Sequence, residues 1–176
     1  VSSFSKGTEK VEVQLQWDPS PLGTPASDLD IIAATYRAGD PYGDPAYLVH
    51  FDSRAPDGTI TLNRDSLDGK GFGIDELMTF ELDRLSPEYG RVVAGVAIQQ
   101  HAGRMVFGDV LNPEFRVVEG YTVLSAGDFA EVADATAATV AEFTRTGSGE
   151  WEFHAFVRGF DADPNSFART MGRLSS

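Results

Sequence analysis

The sequence predicts an all-β protein: a β-sandwich of two antiparallel sheets with about ten strands, plus one or two short helices towards the C-terminus. Three observations predict it. Apolar and polar residues alternate with period two near the start of the chain. Short apolar runs recur along its length, separated by clusters of Gly, Pro, Asp and Ser. Only two segments read as helix, both late in the chain.

The first strand is the clearest. Val11, Val13, Leu15 and Trp17 interleave with Glu12, Gln14 and Gln16, which describes a half-buried strand. Leu29–Tyr36, Tyr47–Phe51, Thr59–Leu62 and Leu77–Leu82 follow as short strands. Arg91–Gln99 is apolar at both odd and even positions, the pattern of a strand covered on both faces. Phe115–Val118, Tyr121–Leu124, Val140–Phe143 and Trp151–Val157 complete the set. The turns between them fall at Pro19–Pro25, Gly39–Pro45, Pro56-Asp57-Gly58, Gly69–Gly73 and Gly147-Ser148-Gly149, the last a hairpin tip. Of the helical segments, Asp128–Ala138 is Ala-rich but poorly amphipathic. Asp163–Arg173 is better formed, with Asp163 as N-cap, Pro164 at the first helical position, and Phe167 and Met171 four residues apart.

With 176 residues the chain fits one domain, 1–176, with one well-buried core. A net charge of −13 argues against nucleic acid as a partner, because phosphate contacts need Lys and Arg in excess. No run approaches the roughly 20 apolar residues that span a bilayer, so no membrane insertion is expected. Without cysteine there is no disulfide, thiolate zinc site or cysteine nucleophile. Val1–Lys10 carries no signal-peptide pattern, which makes the cytoplasm the expected location.

The acids are unevenly spread. Between Asp18 and Glu76 stand eleven acids against four bases, a local excess of −7 within the total of −13. Their densest stretch, Arg64–Glu76, holds the carboxylates Asp65, Asp68, Asp75 and Glu76 around Gly69, Gly71 and Gly73. Carboxylate oxygens are what a hard cation such as Ca²⁺ binds, and glycines let the backbone bend closely around it. Two further acids, Asp28 and Asp30, flank Leu29 at the start of a strand, so both project to one face while Leu29 packs on the other. Asp52 follows another strand. The loop is not an EF-hand, since counting from Asp65 places Leu67 at a ligand position and Lys70 at the invariant Gly position. Nor do its glycines have GxGxxG spacing. Its own chemistry leaves two readings open, a calcium-organised loop and plain turn chemistry.

No catalytic residue stands out. His50, His101 and His154 are scattered through strands or their ends, and there is no GxSxG elbow. Trp17 and Trp151 sit in alternating patterns as core residues. The chain is therefore expected not to be an enzyme.

Several stretches together resemble the TerD family of tellurium-resistance and stress proteins. They are Ser5-Lys6-Gly7, Trp17-Asp18, Asp28-Leu29-Asp30, Pro56-Asp57-Gly58, the glycine-acid loop ending in Asp75-Glu76, and Gly149-Glu150-Trp151-Glu152-Phe153. The resemblance runs from about Ser5 to Gly172. It implies a β-sandwich with calcium at one edge, ligated by Asp28, Asp30, Asp52, Asp65, Asp68, Asp75 and Glu76 with backbone groups of Gly69, Gly71 and Gly73. The family's loop resembles Gly-Asp-Asn-x-Thr-Gly-x-Gly-x-Gly-Asp-Asp-Glu. Here Arg64, Ser66, Asp68 and Ile74 replace the first Gly, the Asn, the Thr and the first acid of the final triplet. Oxygen donors common in the family are replaced by Ala26, Phe51 and Ile74, so of one or two Ca²⁺ ions one is favoured. The implied function is calcium binding in tellurite or general stress tolerance, with the ordered acidic edge meeting an unidentified protein partner. The alternatives are an interaction scaffold with degenerate calcium sites, and a carbohydrate-binding or hydrolytic sandwich.

Overall fold

Ten strands and one short α-helix make up the regular structure in a computed structural model that describes residues 7–64, 69, 73–101 and 103–174. The alternating segment becomes β1 (Lys10–Asp18), with Val11, Val13, Leu15 and Trp17 buried and Lys10, Gln16 and Asp18 exposed. It is followed by β2 (Leu29–Arg37), β3 (Tyr47–Val49), β4 (Ile60–Arg64) and β5 (Glu76–Glu81). After these come β6 (Tyr89–Ile98), β7 (Leu111–Glu119), β8 (Thr122–Gly127), β9 (Ala137–Arg145), β10 (Trp151–Phe160) and α1 (Pro164–Thr170).

The strands form two five-stranded sheets, ordered β4-β5-β1-β7-β8 and β10-β9-β6-β2-β3, with every pairing antiparallel. β1 and β6 are the middle strands. β6 is apolar on both faces because it has two different neighbours. Val92, Ala94, Val96 and Ile98 face the core between the sheets, whereas Val93 and Ala97 join Ile32, Ala34, Tyr36, Phe167 and Met171 in a second cluster beneath α1. Gly95 faces α1, and a Cβ there would lie 2.5 Å from the Phe167 ring and 2.8 Å from the Ala138 carbonyl oxygen. Trp17 and Trp151 are both core residues.

The C-terminal segment starts as its sequence predicts. The Asp163 side chain accepts a 2.8 Å hydrogen bond from the Ser166 N–H, with Pro164 next in the first turn. Asp128–Ala138 does not form the other helix. Ala130–Val132 makes a single 3-10 turn entered through Phe129 at φ +64°, and Ala137 already begins β9. Sheet position overrides helix propensity here: Ala137 and Ala138 pair with Ala97 and Val96 of β6, Ala137 facing α1 and Ala138 the core between the sheets. The Gly147–Gly149 segment links β9 to β10 as a hairpin, with Gly149 at φ +89°. Among the described residues, no helix is long and apolar enough to cross a membrane.

Candidate metal centre

β2 opens on the pattern Asp28-Leu29-Asp30, and the pleat separates its side chains. Leu29 is fully buried in the core between the sheets, which turns both neighbouring carboxylates to the opposite face. Asp28 and Asp30 are steadied by the residue that follows β6. The Gln99 backbone N–H donates to the Asp28 carbonyl at 2.9 Å, and the Gln99 side-chain amide donates to Asp30 Oδ2.

The third carboxylate arrives from the other sheet. β3 pairs with β2 only across Ala33–Thr35, so β2 has a bare edge nearer its start. Glu76, the first residue of β5, is fully buried, and its Oε1 accepts a 2.9 Å hydrogen bond from the Ile31 N–H. A sheet-edge donor is thereby satisfied by a side chain instead of a strand. Carboxylate oxygens of Asp28, Asp30 and Glu76 all lie within 4.8 Å of one another, the one such group of His, Asp and Glu among the described residues. Asp30 and Glu76 are buried and Asp28 is half-buried. His101 Nε2 stands 3.7 Å from Asp28 Oδ2 on an exposed ring.

Neighbouring contacts hold this corner in place. Asp75 hydrogen-bonds β1 twice: its N–H donates to the Leu15 carbonyl at 2.9 Å, and its Oδ2 accepts from the Trp17 N–H at 2.8 Å. The Trp17 indole N–H donates to the Ser27 carbonyl at 3.0 Å, anchoring the residue before Asp28. Gly69 sits against that indole at φ +75°, and a Cβ there would come within 2.5 Å of Nε1. Only glycine satisfies both the backbone angle and the close approach.

The expected ligands therefore separate into groups. Asp28, Asp30 and Glu76 converge. Asp75 is buried beside them but engages the β1 backbone. Asp52 lies in the exposed turn after β3, its N–H donating to His50 Nδ1 at 3.2 Å, and is outside the triad. Gly69 braces Trp17, and Gly73 is exposed at φ +75°. Asp65, Asp68 and Gly71 lie outside the described residues. Sequence reasoning missed Gln99, whose role depends on the β2–β6 register, and the Ile31 N–H, whose role depends on where β3 stops.

Three carboxylates this close repel one another by about 3.5 kcal/mol per pair at an effective protein dielectric of roughly 20. Hydrogen bonds from Ile31 and Gln99 offset part of that. The donor set, all hard oxygen and mostly shielded from water, suits Ca²⁺ or another hard divalent ion.

The same segments are shared with known proteins. Residues 1–170 match the family model described as the TerD domain. The chain is 27% identical over 166 residues to the tellurium resistance protein TerD of Serratia marcescens, covering 91% of this chain and 85% of that protein. It is also 27% identical over 164 residues to the TerD protein of an Alcaligenes species, with the same coverages. A solved homologue of telluride resistance protein TerD from Streptomyces coelicolor A3(2) is 56% identical and superposes with a TM-score of 0.94, over 96% of this chain and 100% of that one. The crystal structure of the unknown-function protein SAV2460 is 62% identical, also with a TM-score of 0.94, covering 96% and 99% of the two chains. The family model spans the Asp28–Asp30 strand, the Glu76 strand and the helix that closes the outer face, and the chain belongs to the TerD family.

Proposed function

We propose that this chain is a calcium-binding, non-enzymatic stress-response protein acting in tellurite or general stress tolerance. One Ca²⁺ is held by Asp28, Asp30 and Glu76 and completed from the glycine-acid loop that contains Asp65 and Asp68. The observation that carries this reading is the triad itself, buried carboxylates from two different sheets brought within 4.8 Å. A cation there offsets the mutual repulsion of the three carboxylates. It ties the start of β2 to the start of β5 and orders the acidic edge as a surface for a protein partner. The protein is proposed to work in the cytoplasm. The tolerance role extends to this chain the naming of its tellurium-resistance relatives.

Thermal melting of the full chain in millimolar Ca²⁺ and in chelator tests the reading. At a hundred times its dissociation constant, the ion adds about 2.7 kcal/mol. Asp30→Asn removes most of that increment, and Mg²⁺, which demands compact octahedral geometry, gives a smaller one. Superimposable melts with and without Ca²⁺ would sink the proposal.

A further inference from the structure

Beside β3 lies a groove of about 630 Å³, lined by Ala46, Tyr47 and Leu48, by Ser53 and Pro56, and by Arg169 and Arg173. That volume is in the range of ligand-binding clefts. Three features define what fits it.

The first is charge. Arg169, in the last turn of α1, and Arg173, in the bend that follows it, are both exposed and both line the groove. The one acid lining the groove is Asp44, 3.5 Å from Arg173 with both side chains largely in solvent. Such a contact between exposed side chains is weak and yields readily to a competing carboxylate. The groove is thus locally cationic in a chain of net charge −13.

The second is the strand edge. The Gln99 N–H to Asp28 carbonyl bond sets the phase of β2: even-numbered residues turn their backbone groups to β6, and odd-numbered ones turn away from it. Ala33 and Thr35 therefore meet Val49 and Tyr47, and Leu48 between them directs its N–H and C=O away from β2. β3 ends its sheet, so those groups point out from its outer edge, and Leu48 is itself a lining residue of the groove. The third is polarity: Tyr47, Leu48, Pro45 and Pro56 give the lining an apolar component.

We propose that this groove binds an extended acidic peptide segment of a partner protein. The peptide adds alongside β3, exchanging backbone hydrogen bonds with Leu48, while its Glu or Asp side chains engage Arg169 and Arg173. Strand addition supplies orientation, and the arginines supply selectivity for acidic sequence. This surface is separate from the acidic edge and does not depend on the metal.

The test uses the full chain with a fluorescein-labelled heptapeptide, Ser-Glu-Val-Glu-Val-Glu-Ser, and its counterpart with Lys in place of each Glu. Anisotropy titrations are expected to show saturable binding of the Glu peptide and at least ten-fold weaker binding of the Lys peptide. The double variant Arg169→Glu/Arg173→Glu, at two exposed positions, keeps the parent melting temperature and loses at least ten-fold in affinity. Amide hydrogen exchange at Leu48 slows on binding, a readout that charge attraction alone does not move. Equal affinity for the two peptides, or binding unaffected by the double variant, would overturn the proposal. So would binding without protection of Leu48, or displacement of the peptide by millimolar inorganic phosphate, which marks a small-anion site.

Discussion

Tyr36 shows how one buried side chain writes a pH dependence into the fold. Its ring is 1% exposed, and the Arg91 guanidinium lies 5.2 Å from the ring centroid. Burial pushes its hydroxyl up to about 12, against the opposing pull of Arg91. A pKa raised above the unfolded value near 10 favours the neutral form in the folded state. The contribution is therefore fully present below about pH 10 and is lost as pH rises towards 12. Two units correspond to about 2.7 kcal/mol at the top of that window. Tyr47, also raised to about 12 by burial, titrates in the same window. Chemical denaturation between pH 9 and 12 is expected to show stability falling above about pH 10, and Tyr36→Phe is expected to remove about half of the fall, Tyr47 keeping the rest. Parallel pH profiles for the two proteins would refute this. Legibility at this scale varied by residue. Asp28 and Asp30 were readable because a period of two puts i and i+2 on one face whatever the partner strand. Glu76 was readable only as an acid, since its contact with the Ile31 N–H requires knowing that β3 stops short. Asp52 looked equivalent in sequence, but the turn after β3 places it in the exposed bend beside His50.

At the level of elements, the strands were legible and the docking of α1 was only partly so. Alternation and turn residues mark ten strands because each sheet face has a fixed periodicity. An Ala-rich run carries no such mark: Asp128–Ala138 has helix-favouring composition, yet its last residues serve β9 as small neighbours of β6. Of these, Ala137 lies in the cluster beneath α1 with Phe167, the ring that also closes over Gly95. Phe167 is fully buried and meets Phe160 edge-on at 5.1 Å. Gly95→Ala places a methyl group against both that ring and the Ala138 carbonyl. The expected cost is about 1–3 kcal/mol by overpacking, read from urea unfolding midpoints. Adding Phe167→Leu, which removes the ring atoms nearest Gly95, is expected to recover part of the loss relative to the sum of the single substitutions. Strict additivity would mean that α1 moves away from β6 freely and that Gly95 does not set its seat.

For the molecule as a whole, the question is how a chain of net charge −13 holds buried carboxylates from both sheets together. Exposed charges and the triad respond differently to salt. Repulsion across the surface is screened over a Debye length of about 10 Å at 0.1 M and about 3 Å at 1 M. Asp30 and Glu76 are buried, so diffuse sodium reaches them poorly, and the proposed divalent ion would do there what screening does not. Raising NaCl from about 0.05 M to about 0.5 M is therefore expected to raise the melting temperature with and without calcium. The calcium increment itself is expected to survive. At a hundred times the dissociation constant it amounts to about 2.7 kcal/mol, or about 5–10 °C for a chain of this size. Most of it is expected to be lost in Asp30→Asn at either salt concentration. If calcium acted instead as a loose counter-ion over the acidic surface, high salt would erase its increment, Mg²⁺ would match it, and Asp30→Asn would leave it intact. Melting curves in this grid separate an ion seated between the two sheets from one that merely bathes their edge.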